Sequence, residues 1–254
     1  YENNNGTWTQ IGSDIDGESS SDHSGWSVSL SGDGSVVAIG ARYNDGGGSN
    51  SGHVRIYKND NGTWTQIGSD IDGESSSDYF GWSVSLSEDG SVVAIGAQRD
   101  DGTSTDAGHV RVYENNNGTW TQIGSDIDGE SSYDYSGSAV SLSADGSVVA
   151  IGAYLNDGGG TNSGHVRLYK NNNGTWTQIG SDIDGESSSD YSGHSVSLSA
   201  DGSVVAIGAY LNDGGGSDSG HVRVYYDMGR TTLSFTTLDN VAPTLSSSSP
   251  ADNA

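Results

Sequence analysis

The feature that most constrains this chain is a unit of 56 residues that occurs four times without insertion or deletion. The same tryptophan marks each copy, at Trp8, Trp64, Trp120 and Trp176. Tyrosines keep the same step from Tyr1 to Tyr225. A chain of this kind folds as a series of equal supersecondary units, and each unit buries its apolar face against its neighbours.

Within one unit the apolar pattern has a period of two, which is typical of β-strands. In the second unit, residues 82–87 alternate apolar and small polar side chains, and residues 91–97 form a continuous apolar run. Residues 109–113 alternate again, and residues 119–123 supply a fourth segment. These four segments predict four strands, the second of which is covered on both faces.

Turn signals join these strands in pairs. Asp89-Gly90 lies between the first two, and Asn117-Gly118 lies between the last two; both are strong signals for short hairpins. No segment has the periodicity of a helix, so each unit reads as a four-stranded antiparallel meander. Radial packing of such sheets predicts an all-β fold, a β-propeller of four-stranded antiparallel blades. A linear stack of hairpins is the alternative, but it leaves long sheet edges unprotected.

The repeats divide the chain into a propeller at 1–225, a closing strand or linker at 226–239, and a tail or the start of an immunoglobulin-like module at 240–254. The chain opens on a fourth strand at 7–11, and its last clear repeat stops after a third strand at 221–225. Joining these ends predicts a ring of four blades. Alternatively, residues 231–236 fill the last blade, and the first strand belongs to another blade.

Three elements of the second unit resemble the FG-GAP repeat of the integrin alpha-subunit propeller and its bacterial surface relatives. They are Phe80-Gly81-Trp82, then residues 94–97, and then residues 108–113. The resemblance implies a propeller whose loops on one face meet a ligand. It also implies calcium loops between strands one and two, but here that connection is only Ser-x-Asp-Gly, as at 143–146. The family's calcium site is therefore not expected at that position.

The charge of the chain limits its partners. A formal charge of −25 with 31% hydrophobic residues is the composition of a disordered chain, and only the repeat argues otherwise. Because such an acidic surface repels phosphate backbones, nucleic acid is not an expected partner. No apolar stretch is long enough to predict insertion into a membrane. The absence of Cys excludes disulfides and thiolate metal sites.

The acidic residues concentrate in the loop from strand four to the next blade. This loop and the one from strand two to three lie on the same face of a propeller, and the loop reads Asp-x-Asp-Gly-Glu with a further Asp in every unit. Carboxylates spaced around a turn glycine suit Ca²⁺, which takes six to eight oxygen ligands. A solvated turn, in which Asp and Ser bond their own backbone, is the alternative. The predicted metal ligands are Asp14, Asp16, Glu18, Asp22, Asp70, Asp72, Glu74, Asp78, Asp126, Asp128, Glu130, Asp134, Asp182, Asp184, Glu186 and Asp190.

Variation between the units points to the same face, because the strand interiors barely change. The variable and aromatic positions predict ligand contacts, since binding residues are often carried on loops held by a rigid scaffold; drift of exposed loops is the alternative. The predicted ligand-binding residues are Trp26, Tyr43, Tyr79, Trp82, Tyr154 and Tyr210.

Other repeated residues have structural interpretations. The four tryptophans predict packing between blades. A histidine opens the third strand of each unit, at His53, His109, His165 and His221. With no second ligand nearby in sequence, a zinc or copper site is not expected there. Asn-Gly-Thr at 5, 61, 117 and 173 fits a glycosylation pattern, but the turn already explains it.

These observations favour a module that is not an enzyme. They predict an extracellular or cell-surface adhesion or structural module that binds Ca²⁺ and a cell-surface protein or glycan through its acidic face. A lectin-like propeller and an architectural spacer without its own ligand are the alternatives.

Overall fold

In the computed structural model, which describes residues 2–226 and 236–237, each unit of the repeat forms one antiparallel sheet. A hairpin of β1 (Glu2–Asn4) and β2 (Thr7–Thr9) precedes the first blade. Within the described residues, no helix is long and apolar enough to cross a membrane. The prediction of an all-β propeller built from antiparallel blades is confirmed.

The four blades share one strand order, in which each of the first four strands pairs with the next along the chain; in the first two blades a short fifth strand pairs with the third. The first blade contains β3 (Ser27–Leu30), β4 (Val36–Ala41), β5 (His53–Asp60), β6 (Thr63–Gln66) and the short β7 (Ile71–Asp72). The second contains β8 (Phe80–Leu86), β9 (Val92–Ala97), β10 (His109–Asn116), β11 (Thr119–Gln122) and the short β12 (Ile127–Asp128). The third contains β13 (Ala139–Leu142), β14 (Val148–Ala153), β15 (His165–Asn172) and β16 (Thr175–Asp184). The fourth contains β17 (Ser192–Leu198), β18 (Val204–Ala209), β19 (His221–Tyr226) and β20 (Thr236–Thr237).

Local chemistry explains the hairpins and the close packing of the blades. Asn117 and Gly118 have φ values of 53° and 88°, which a two-residue hairpin of the mirror-image type requires. In the second strand, a Cβ at Gly96 would collide with the carbonyl of Gly137 in the next blade. Glycine at this position therefore lets neighbouring sheets approach closely.

The apolar core lies between blades rather than within them. Three clusters form, and each joins the second and third strands of one blade to the first and second strands of the next. Trp120 and Trp176 lie at these interfaces, and the indole Nε1 of Trp64, Trp120 and Trp176 each donates to a carbonyl of the preceding repeat at 2.8–2.9 Å. The prediction that the tryptophans pack between blades is confirmed for Trp120 and Trp176, whereas Trp8 is exposed.

The expected closure of the ring by the two termini is not what the structure shows. Strand β2 pairs with β1, and the strand beside β19 is β20, in which Thr237 pairs with Tyr225. Among the described residues, no apolar cluster joins the fourth blade to the first. The predicted segments at 226–239 and 240–254 lie outside the described residues, apart from 226 and 236–237.

Candidate functional site

Within the described residues, three clusters of one histidine and two carboxylates lie where consecutive repeats meet. Each third strand begins at a histidine, and backbone pairing of His53 with Asp72 brings the following acidic loop alongside it. The loop from the preceding repeat supplies a glutamate to the first and third clusters. The first cluster is Glu18, His53 and Asp70; the second is Asp100, His109 and Asp128; the third is Glu130, His165 and Asp182.

The ligand atoms of each cluster all lie within 4.8 Å of one another, a spacing that one cation can span. In the first cluster, His53 Nδ1 lies 3.9 Å from Glu18 Oε2, 3.9 Å from Asp70 Oδ2 and 4.0 Å from Asp72 Oδ1. His53 is buried, and its Nδ1 has no hydrogen-bond partner among the described residues. Burial also lowers the pKa of His53, which favours the neutral ring that can ligate a metal.

A cavity of about 340 Å³ opens beside the first cluster. Apart from one glycine, its lining residues are polar, and they combine carboxylate, amide and hydroxyl oxygens from two repeats. The lining residues are Glu18, Ser19, Ser20, Asp22, Asn44, Asp45, Gly46, Asp70 and Asp72. Arg55 offsets part of the negative charge, because its Nη1 lies 3.5 Å from Glu18 Oε1.

The third cluster repeats this arrangement. His165 Nδ1 lies 4.0 Å from Glu130 Oε2 and has no hydrogen-bond partner among the described residues. Burial lowers the pKa of His165 to about 4. Arg167 Nη1 lies 3.3 Å from Glu130 Oε1, as Arg55 lies near Glu18 in the first cluster.

The second cluster differs, because Asp100 stands where the other units have Asn44, Asn156 and Asn212. His109 Nδ1 lies 3.0 Å from Asp100 Oδ1, closer than any carboxylate oxygen lies to His53 or His165, although neither ring nitrogen of His109 has a hydrogen-bond partner among the described residues. Arg111 donates to both carboxylate oxygens of Asp126 at 2.8 and 2.9 Å and also pairs with Glu74. The histidine and two acids of this region therefore already have charged protein partners.

A buried aspartate near each cluster has a structural role. In three units an asparagine side chain donates to it at 2.8–2.9 Å, as Asn44 does to Asp22. In the second unit the partner of Asp78 is Asp100, and burial together with that neighbouring charge raises the pKa of Asp78 to about 6. Asp22, Asp78, Asp134 and Asp190 are buried against these partners, which limits them as metal ligands.

The predicted metal ligands thus come together across repeats rather than within one loop. Glu18 meets Asp70, and Glu130 meets Asp182, whereas Asp14 accepts a hydrogen bond from Gln10 at 2.8 Å. Asp16 lies outside the three clusters, and its backbone carbonyl accepts from Arg55. Glu186 pairs with Arg223 at 2.9 Å. No sequence motif places the histidines beside these acids, since their partners lie 17 and 35 residues away in the first cluster.

Four of the predicted ligand-binding residues form one aromatic group. The rings of Trp26 and Trp82 lie 5.0 Å apart, those of Tyr43 and Tyr79 lie 5.1 Å apart, and Tyr79 stacks on Trp82 at 6.4 Å. The guanidinium of Arg42 lies 3.3 Å from the centre of a Trp26 ring, a cation–π contact.

The other two predicted residues, Tyr154 and Tyr210, belong to a second group. Tyr191 lies 6.0 Å from Tyr154 and 5.7 Å from Tyr210, and His194 lies between the same two rings. Arg99 links the groups, because it lies over Tyr79 at 5.1 Å and over Tyr135 at 5.7 Å. We call the whole the aromatic band; it contains His23, Trp26, Arg42, Tyr43, Tyr79, Trp82, Arg99, Tyr135, Tyr154, Tyr191, His194 and Tyr210.

The backbone of the aromatic band is strained at one repeated position. His23, Tyr79, Tyr135 and Tyr191 have φ values of 54–58°, a left-handed conformation that L-residues other than glycine seldom adopt. Such residues cost of order 1–3 kcal/mol each and concentrate at ligand-binding sites. At this left-handed position a ring from each unit lies in the aromatic band. No sequence pattern predicts this backbone conformation.

The profile of the FG-GAP repeat matches residues 14–57, 70–113, 126–169 and 182–225. These segments make up more than half of the chain, and the chain belongs to the FG-GAP repeat family. A comparison with curated proteins finds no significant match.

Solved structures share the fold. A Bacteroides uniformis protein, named as a 6-phosphogluconolactonase, has a TM-score of 0.56 at 15% identity. The match covers 84% of this chain and 53% of that protein. The periplasmic gluconolactonase PpgL of Pseudomonas aeruginosa has a TM-score of 0.52 at 18% identity, with 85% of this chain covering 57% of that one. The four blades therefore span little more than half the length of either neighbour.

These neighbours correct one prediction. Because the same polar residues recur in every unit and single out no active site, the sequence predicts that the chain is not an enzyme. Proteins named for lactonase activity share the fold, so repetition of blades gives no ground for excluding catalysis. The second unit also departs from the repeat, since its buried Asp78 and Asp100 form a carboxylate pair.

Proposed function

We propose that this chain is an extracellular adhesion or structural module of a surface protein. Its acidic face binds Ca²⁺ at the first and third clusters, and its aromatic band binds a protein or glycan on another surface. The observation that carries the proposal is the polar cavity of about 340 Å³ at the first cluster. It gathers four carboxylates besides the buried Asp22–Asn44 pair.

The chemistry of the cavity supports a divalent cation. Glu18, Asp70 and Asp72 come from two different repeats, and their charges face one another around a buried neutral histidine. A cation between them would offset this repulsion and would tie consecutive repeats together. Most of the donors are hard oxygens, which favours Ca²⁺ over softer metals.

Calcium binding is tested by melting the protein in chelator and in millimolar Ca²⁺. We expect a higher melting temperature with Ca²⁺, because a ligand that binds only the folded state stabilises it. Glu18→Gln should remove part of the increase. Asp60→Asn is the matched control, since Asp60 is exposed on a hairpin and the second and third units carry Asn116 and Asn172 at this position. Equal responses of the two variants would contradict the proposed site.

The aromatic band is tested with a glycan array and with binding to intact cells. Aromatic rings suit stacking on sugars and also serve as anchors in protein interfaces. Trp82→Ser should abolish binding, and the fold should tolerate it because the third unit carries Ser138 at this position. Tyr133→Ser is the control, since every other unit has serine there. Absence of any ligand on both surfaces would instead favour an architectural spacer.

A hydrolase is the second candidate, and the observation that favours it is the Asp78–Asp100 pair beside His109. A carboxyl with a pKa of about 6 can exchange a proton near neutral pH. The sugar lactones after which the two neighbours are named are the first substrates to try. This candidate is supported if the wild-type chain hydrolyses such a lactone and Asp100→Asn does not. If the variant is as active as the wild type, the Asp78–Asp100 pair is not the site of hydrolysis.

A further inference from the structure

The two ends of the row of blades expose apolar sheet faces whose counterparts between blades are buried or partly buried. On the first blade, Val28 and Leu30 are 63% and 59% exposed. Their counterparts in the second blade, Val84 and Leu86, are buried. We call the surface around Val28 and Leu30 the leading face.

The fourth blade exposes the opposite side of its sheet. Val222 is 65% exposed, and Val204, Ala206 and Val224 are partly exposed. The counterparts of Val222 in the first three blades are fully buried; they are Val54, Val110 and Val166. We call the surface around Val222 the trailing face.

The two faces are the halves of an interface that the molecule already forms three times. At the first of these interfaces, Val54 and Ile56 belong to the same cluster as Val84 and Leu86 of the next blade. A leading face thus normally packs on the trailing face of the blade before it. The repeats are nearly identical in sequence, so the exposed trailing face of the fourth blade complements the exposed leading face of the first.

Polar contacts of the repeated interface fit the same arrangement. The amide of the leucine on each internal leading face donates to a serine hydroxyl of the preceding blade at 2.9–3.0 Å, as Leu86 does to Ser29. On the fourth blade the serine at this position is Ser197, and on the first blade the leucine is Leu30. Joining the two faces would reproduce this bond.

The strands present at each end are also complementary. Trp64 of the first blade donates to the carbonyl of Ile11, as later tryptophans donate to the fourth-strand segment of the preceding repeat. The leading face therefore has the β1–β2 hairpin in the place of a preceding fourth strand and of the end of a preceding third strand, but it lacks a second strand and the start of a third. The fourth blade presents those inner strands, as β18 and β19.

We propose that the trailing face binds the leading face of a second copy of this chain, head to tail. The contact is the repeated interface between blades, formed between molecules. Two copies can each cover both exposed faces of the other, which gives a closed dimer. Otherwise further copies add at the free faces and form an open filament. Apolar burial drives it, and added salt favours it because two copies each carrying a charge of −25 repel each other.

The test is the mass in solution, measured by light scattering or sedimentation over a range of concentrations. We expect the wild-type chain to form dimers or longer assemblies. Leu30→Asp and Val222→Asp should each be monomeric at concentrations where the wild type associates and should keep the wild-type circular dichroism, because both side chains are exposed. Tyr133→Ser should associate as the wild type does.

Mixing the two variants gives the sharper result. Leu30→Asp keeps an intact trailing face and Val222→Asp an intact leading face, so an equimolar mixture should form a dimer and nothing larger. If the wild-type chain stays monomeric, the proposal is overturned. That result would indicate that another segment of the chain covers these faces. Variants that still associate alone, or a mixture that stays monomeric, also overturn it.

Discussion

The first and second clusters occupy the same place in consecutive repeats, yet their charges are arranged differently. At the first cluster, the nearest carboxylate oxygens stand 3.9 Å from His53 Nδ1. At the second, His109 lies 3.0 Å from Asp100, and Arg111 holds Asp126 with two hydrogen bonds. Protein groups thus offset the charges of the second cluster, whereas at the first cluster we propose that a cation does so.

One substitution between repeats accounts for much of this difference. Where Asn44 donates to Asp22 in the first unit, Asp100 turns toward His109 in the second. Burial opposes ionisation of Asp100, but contact with His109 and the Gly102 amide lowers its pKa. A nearly exact repeat can thus carry two kinds of site.

The largest effect we expect is on stability at the second cluster. Arg111→Met should lower the free energy of unfolding by about 2 kcal/mol, because Asp126 loses its partner inside the protein. The cost stays below that of a fully buried pair, since Glu74 is largely exposed. Urea unfolding measures it, and Arg55→Met at the first cluster should cost less. A larger loss for Arg55→Met would reverse the comparison.

The next effect separates the clusters by their response to calcium. Asp70→Asn should remove the stabilisation that Ca²⁺ gives the first cluster, about 1.4 kcal/mol at a free concentration ten times the Kd. Asp126→Asn, at the same position of the next repeat, should keep the full calcium response although it lowers stability without calcium. Thermal melts at several Ca²⁺ concentrations measure both. If Asp126→Asn lost the calcium response and Asp70→Asn kept it, calcium would bind at the second cluster, and the proposal for the first cluster would be wrong.

The smallest effect concerns pH at the second unit. The pKa of Asp78 is raised to about 6 in the folded protein, from an ordinary value of 3.8. The folded state therefore binds more protons between these values, and this group makes stability fall as pH rises from about 4 to 6. Asp100→Asn should reduce this loss of unfolding free energy between pH 4 and 6 by less than about 1 kcal/mol. Urea unfolding at several pH values measures it; an unchanged slope would remove Asp100 as a cause of the shift.

The sequence predicts the blades well because their determinants are local. Alternation in 82–87, the apolar run at 91–97 and the Asn117-Gly118 turn each specify structure within a few residues. The clusters depend on contacts across repeats, so Glu18, His53 and Asp70 show no common motif. Closure of the ring depends on which segment lies beside β19, and two segments of the sequence fit that place.

Cation binding at the first cluster is the central claim, and calorimetric titration of the wild-type chain with Ca²⁺ tests it most directly. We expect saturable binding that is weakened in Asp70→Asn and unchanged in Asp60→Asn. Absence of saturable binding, together with equal melting temperatures in chelator and in millimolar Ca²⁺, would contradict it.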